Sequence, residues 1–112
     1  MRRKRYTSYK KVKVIYHKDA DGNVVAFLPE LPANVGNIVC YAHIGQHGEA
    51  SIEYYHSTRE ALPSEYASLH DELKGIYNDI ELSVKRRLTY SDLTEKAWKI
   101  RRTEHEKTYS ES

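Results

Sequence analysis

Eight consecutive residues, Cys40-Tyr41-Ala42-His43-Ile44-Gly45-Gln46-His47, hold the one cysteine of the chain and two of its six histidines. Thiolate and imidazole are ligands that zinc favours, and structural zinc sites are usually four-coordinate. Cys40, His43 and His47 follow a Cys-x2-His-x3-His spacing, with His56 as a candidate fourth ligand. Strand geometry opposes the set, because residues three apart in a strand point to opposite faces. A zinc ribbon would also need a second Cys-x2-Cys knuckle, which the chain lacks. No metal and no cofactor is therefore expected.

A cysteine nucleophile is the second chemistry to weigh. It needs a helix N-terminus or a nearby cation to lower the thiol pKa. Cys40 is expected mid-strand, where a cysteine behaves as a small buried hydrophobe. A metal- or cysteine-dependent enzyme centred on residues 40–47 is the competing reading of this stretch. His43, Gln46 and His47 are retained as a polar site on the hairpin, since exposed turns carry function more often than strands.

Other motifs are weaker. Asp19-x-Asp21-x-Asn23 with Glu30 imitates a calcium loop, but Val24 occupies the position that needs glycine. Gly45-Gln46-His47-Gly48 lacks the lysine and following helix of a phosphate loop. Glu49, Glu53 and Asp71-Glu72 look scattered over solvent faces, with nothing to orient them for acid–base work.

Charge is the stronger signal. The net formal charge is only +2, yet residues 1–18 carry eight Lys/Arg and no acid. Residues 19–84 carry two bases and eleven acids, and residues 85–112 eight bases and five acids. A basic arm on an acidic body suits a polyanionic partner. Arg2, Arg3, Lys4, Arg5, Lys10 and Lys11 are the expected phosphate contacts, with Tyr6 and Tyr9 as stacking faces. Lys85, Arg86 and Arg87 form a second cluster, and Lys99, Arg101 and Arg102 a third. The expected function is a small non-enzymatic binding or accessory module that contacts nucleic acid or a nucleic-acid-processing protein. A homodimer that buries a Tyr-bearing sheet face is a further alternative.

The elements that must position these groups follow from periodicity. A chain of 112 residues is one domain. Val, Ile, Leu and Phe are few, so the ten tyrosines are expected to edge the core, rings buried and hydroxyls in water. One cysteine excludes an internal disulfide framework, no apolar run reaches the ~18 residues of a membrane span, and no secretory h-region follows the charged start. A cytoplasmic protein is the default.

Residues 1–8 form a basic flexible arm, 9–103 the domain and 104–112 a polar tail. Val12, Val14 and Tyr16 alternate with Lys11, Lys13 and Ile15, which predicts a strand over 9–17. Asp19 to Asn23 is turn chemistry, and Val24 to Leu28 the return strand. A third strand is expected over 37–44, a turn over 45–48 and a fourth strand over 49–56. With that turn His43 faces Ala50, and Val39, Tyr41, His43, Ala50, Ile52 and Tyr54 share the core face. Pro63 opens a helix whose stripe is Tyr66, Leu69, Leu73 and Ile76, with Gly75 at its end. Ile80, Leu82 and Val84 mark a fifth strand. Thr89 with Asp92 opens a second helix, carrying Leu93, Ala97 and Ile100. The class is α+β: an antiparallel sheet of four to five strands with two helices packed on one face, in the order β-β-β-β-α-β-α.

Three segments resemble small proteins, without an assigned activity, carried by bacterial phages and other mobile elements. They are Asp21-Gly22 with Val24-Val25-Ala26-Phe27-Leu28-Pro29, the Cys40 to His47 stretch with its Tyr-x-His-x-Gly-Gln-His core, and Thr58 to Leu69 continuing to Glu72-Leu73. The resemblance spans roughly residues 12–90. It implies an accessory or inhibitor protein that works through a surface, and transfers no catalytic or binding residue.

Overall fold

The computed structural model describes residues 11–31, 33–43 and 45–93. The basic arm and the polar tail lie outside the described residues, as does most of the second expected helix. The elements are β1 (Lys11–Lys18), β2 (Val24–Leu28), β3 (Asn37–Ala42), β4 (Gln46–Ser51), α1 (Ile52–His56), β5 (Arg59–Glu60), α2 (Pro63–Ile76), β6 (Glu81–Lys85) and a 3-10 turn over Tyr90–Leu93. The α+β class and the order β-β-β-β-α-β-α hold, with α1 and the two-residue β5 added between β4 and α2.

β1 pairs with three other strands and is covered on both faces. Val12, Val14 and Tyr16 face α2, and Ile15 faces the other layer; all four are buried. β2, β3 and β4 add in turn on one side, all antiparallel. On the other side β5 pairs antiparallel with the end of β1, and β6 pairs parallel with its start. A parallel neighbour needs a long crossover, and α2 supplies it.

The β1–β2 turn is held by Asp19, whose Oδ1 accepts from the backbone N–H of Asp21 and of Asn23 at 2.9 Å each. Gly22 takes φ +87° there, a value that glycine adopts without Cβ strain. α2 starts at Pro63, where a missing N–H costs nothing, and Glu65 reaches back to accept from the Leu62 N–H at 2.7 Å. Leu69 and Leu73 are fully buried against Val12, Val14, Ala26 and Leu28. Phe27, Ile15, Ile38, Tyr55 and Leu88 fill the opposite layer, to which Leu93 of the 3-10 turn adds.

Several expectations need correction. The fourth strand stops at Ser51, because its partner β3 begins at Asn37 and offers nothing further to pair with. The chain turns instead into α1, with the Ser51 hydroxyl capping the Tyr54 N–H at 3.1 Å. The hairpin turn is shorter than expected and β4 begins at Gln46, so Ala50 lies opposite Ile38 and His47 opposite Tyr41. That odd shift moves Ala50 to the face opposite Tyr41, as any odd slip must. Gly75 lies within α2, which runs on to Ile76, and Ile76 is 46% exposed rather than part of the buried stripe. Tyr16, Tyr41 and Tyr55 are inside the core, not at its edge. Each can be buried because its hydroxyl has a partner within the fold.

Candidate functional site

Tyr41 and His47 are directly opposite on β3 and β4, on the face that meets α2. Their rings make an edge contact with centroids 4.6 Å apart. The chain then turns at Gly45, φ +68°, and swings His43 toward the same helix. α2 answers with Ser68, Glu72 and Tyr77 just past its end. Ser68 and Glu72 are four residues apart and therefore neighbours on one helix face.

Glu72 is the hub. One carboxylate oxygen accepts from the Tyr41 hydroxyl and from the Gly45 N–H, the latter at 3.3 Å; the other meets His43 Nδ1. The Gly45 N–H also donates to the Tyr41 oxygen at 2.9 Å. The Tyr41 hydroxyl, first, and then His43 and Gly45 hold the Glu72 carboxyl below the usual carboxylate range, against a smaller opposing effect of burial. Donation to Glu72 pushes the Tyr41 phenol up in return. His47 Nε2 lies 2.9 Å from the Tyr77 hydroxyl, and burial raises the Tyr77 pKa.

Ser68 Oγ lies 3.4 Å from His43 Nε2, which completes a serine–histidine–carboxylate line. The order is that of an acyl-transfer relay, but no oxyanion donors face it among the described residues. A tetrahedral intermediate needs donors aimed at its oxyanion. Ser68 sits mid-helix, where the backbone N–H groups bond within the helix. The nearby Gly45 N–H is already given to Tyr41 and Glu72. The cluster locks the hairpin to the helix and presents a half-exposed imidazole at its rim.

The polar site expected at His43, Gln46 and His47 is thus divided. His43 and His47 come together beside α2. Gln46 is paired with Ala42 and lies on the opposite side of the sheet, lining a cleft of about 490 Å³ with Val25, Cys40, Ala50 and Tyr54. Cys40 shares that opposite side with Ile38 and Ala50, so the thiol and the two imidazoles do not converge. Burial, and then Glu49, raise the Cys40 pKa, the reverse of an activated nucleophile. Among the described residues no group of three or more His, Cys, Asp or Glu gathers as a metal site.

Of the expected phosphate contacts, Arg2, Arg3, Lys4, Arg5 and Lys10 lie outside the described residues. Lys11 is the exposed first residue of β1. Lys85, Arg86 and Arg87 are exposed at the end of β6. Arg86 is occupied by Glu60, with Nε at 2.8 Å and Nη2 at 3.3 Å. Parallel pairing sets Lys11 beside Glu81 and Lys85 beside Ile15, so Lys11 and Lys85 are at opposite ends of the β1–β6 pair. Four residues of strand separate them, about 13 Å. The third cluster, Lys99, Arg101 and Arg102, lies outside the described residues.

Sequence reasoning missed Glu72 and Ser68. Glu72 reads as one of several surface acids, because its partners are 29 and 31 residues away. The one local sign was the i, i+4 spacing of Ser68 and Glu72 next to the Leu69–Leu73 stripe. No helix among the described residues is long and apolar enough to cross a membrane. Comparison with protein-family models, with curated proteins and with solved structures finds nothing that matches this chain.

Proposed function

We propose that the chain is a small non-enzymatic binding module that contacts nucleic acid through residues 1–11. Arg2, Arg3, Lys4, Arg5, Lys10 and Lys11 neutralise phosphates, and Lys85, Arg86 and Arg87 are the second set, of which Arg86 must first leave Glu60. One observation supports this reading above others: seven carboxylates among the described residues are engaged within the fold. Asp19 closes a turn, Glu30 accepts from the Lys13 N–H, and Glu49 accepts from Asn34 and Asn37. Glu60 holds Arg86, Glu65 holds Lys18, Glu72 holds the hairpin and Asp92 holds Lys13. By contrast, Lys11, Arg59, Lys85 and Arg87 have no carboxylate partner within 4.0 Å among the described residues. Cations left without partners are the ones a phosphate chain can use.

The competing enzyme reading around Cys40 is disfavoured by the divergence of thiol and imidazoles described above. A nucleic-acid-processing protein in place of the nucleic acid itself is the alternative partner, and the same measurement separates the two. Binding of the intact chain and of a form lacking residues 1–10 to a fluorescent oligonucleotide is followed by anisotropy across a salt series. The truncated form should bind more weakly, with its log–log salt slope shallower by roughly 0.7–0.9 for each phosphate contact removed. Equal slopes would sink the reading. Absence of binding by the intact chain at low salt would move the partner to a protein.

A further inference from the structure

β6 is an open edge. It bonds β1 on one side, and nothing among the described residues pairs with its other side. Natural sheets blunt such edges with prolines, bulges or inward charges, or cover them, because an unpaired row of N–H and C=O groups recruits another strand. Here the strand is Glu81-Leu82-Ser83-Val84-Lys85, with no proline and an unbroken five-residue register against β1. Val84 is 39% exposed on the side of the sheet where Leu82 packs with the α2 core.

We propose that this edge binds a second copy of the chain, β6 to β6 and antiparallel, about a dyad at Ser83. The sequence of the strand is self-complementary in that arrangement. With Ser83 opposite Ser83, Glu81 faces Lys85 of the second copy, and Leu82 faces its Val84. The dyad then repeats both contacts. Continuing outward, Asp79 meets Arg87 across the same axis. Opposite charges and apolar pairs placed directly across strands stabilise a ladder. A slip by one residue would set Val84 against Glu81 or Ser83, and Leu82 against Lys85 or Ser83. The side-chain pattern therefore disfavours a one-residue slip. A self-complementary patch closes as a two-fold dimer and leaves no further β6 edge to grow from.

This interface differs from a dimer built on a tyrosine-bearing sheet face. Tyr16, Tyr41 and Tyr55 are buried within one copy and are not available for that role. The edge arrangement also bears on the nucleic-acid reading without depending on it. In the dimer Lys85 and Arg87 pair with carboxylates of the second copy, and the phosphate contacts fall to Arg2, Arg3, Lys4, Arg5, Lys10 and Lys11. The dimer also sets the two Lys11 residues, where the basic arms begin, about 20 Å apart, from strand spacing and rise. Two basic segments tethered at that separation can act on one polyanion together.

Sedimentation equilibrium of the full chain in low salt, without nucleic acid, tests the proposal. The wild type should show a monomer–dimer equilibrium. Glu81→Lys and Lys85→Glu should each weaken self-association by about tenfold or more, since two repulsive contacts replace two attractive ones. An equimolar mixture of the two variants should recover dimer mass, because each supplies the charge the other lacks. Both substitutions are at exposed positions, and circular dichroism confirms that each variant is folded. A wild type that stays at monomer mass at every concentration overturns the proposal. So do single variants that dimerise as the wild type does, or a mixture that stays monomeric.

Discussion

The Tyr41 hydroxyl donates to the Glu72 carboxylate across 31 residues of chain, joining the β3–β4 hairpin to the middle of α2. Tyr41 is 1% exposed, so its ring belongs to the core while its oxygen belongs to the cluster at the rim. The same carboxylate holds His43 and Gly45. Packing and surface chemistry therefore meet in one side chain, and disturbing either should be felt in the other.

The lowered Glu72 pKa makes this joint acid-sensitive. A carboxyl whose folded pKa lies below its unfolded value of about 4.3 adds stability that is complete above that value. The contribution is lost as pH falls through the lowered folded value. Tyr41→Phe removes the largest cause of the depression. The variant should melt below the wild type at neutral pH, and the gap should close as pH drops through the carboxylate range. Melting curves over that range check this. A gap independent of pH would mean the hydroxyl matters for packing alone.

His17 should produce a separate slope at higher pH. Its ring is buried and stacked on Tyr55, centroids 4.8 Å apart, with Nε2–H donating to the Arg86 carbonyl at 3.2 Å and Nδ1 2.9 Å from the Thr58 hydroxyl. Burial lowers its pKa and outweighs the opposing pull of that carbonyl and of Glu60. The unfolded chain then takes up a proton at about pH 6.5, before the folded one does. Stability is full above that value and declines as pH falls from it toward the lowered folded pKa. Denaturant midpoints measured between neutral pH and about pH 5 should fall in the wild type. His17→Gln should flatten that part of the curve, whatever its effect on the absolute midpoint.

The two ends of the α2 stripe should respond unequally to truncation. Leu73 is 0% exposed and packed between helix and sheet, whereas Ile76 is 46% exposed. Leu73→Ala removes buried methyl groups and leaves a cavity, which costs about 2–5 kcal/mol. Ile76→Ala should change stability by no more than about 0.5 kcal/mol. Chemical denaturation of both variants measures the contrast. Similar costs at the two positions would mean that Ile76 is covered in solution, as a second copy or another partner on that side would cover it.

Local pattern carried much of the fold. Alternation in Val12–Tyr16, the apolar return strand Val24–Leu28, the Asp-rich turn between them, Pro63 and the Leu69–Leu73 stripe each act within a few residues, and the structure has each of them. Thr89 and Asp92 also behave as expected: the Thr89 N–H donates to Asp92 Oδ2 at 2.9 Å. The failure at 49–56 was a local conflict. Ile52, Tyr54 and His56 alternate with Glu53 and Tyr55 as a strand would, while Ser51 and Glu53 are suited to a helix start. The length of β3 decided between them, and the sequence of β4 does not contain that length.

The candidate site shows the same division. Composition placed His43 and His47 in a short hairpin and loaded the start of the chain with cations, and those statements need no coordinates. Three things could come only from tertiary structure: which face each residue of the hairpin took, which helix it met, and which strand lay beside β1. A side chain's face depends on register, and a single odd slip reverses it for the whole strand. Register is in turn chosen by whichever pairing buries the apolar set and leaves no polar group unpaired. Glu72 could become a hub, and Cys40 could be parted from its neighbouring histidines, only when the whole chain had made that choice at once.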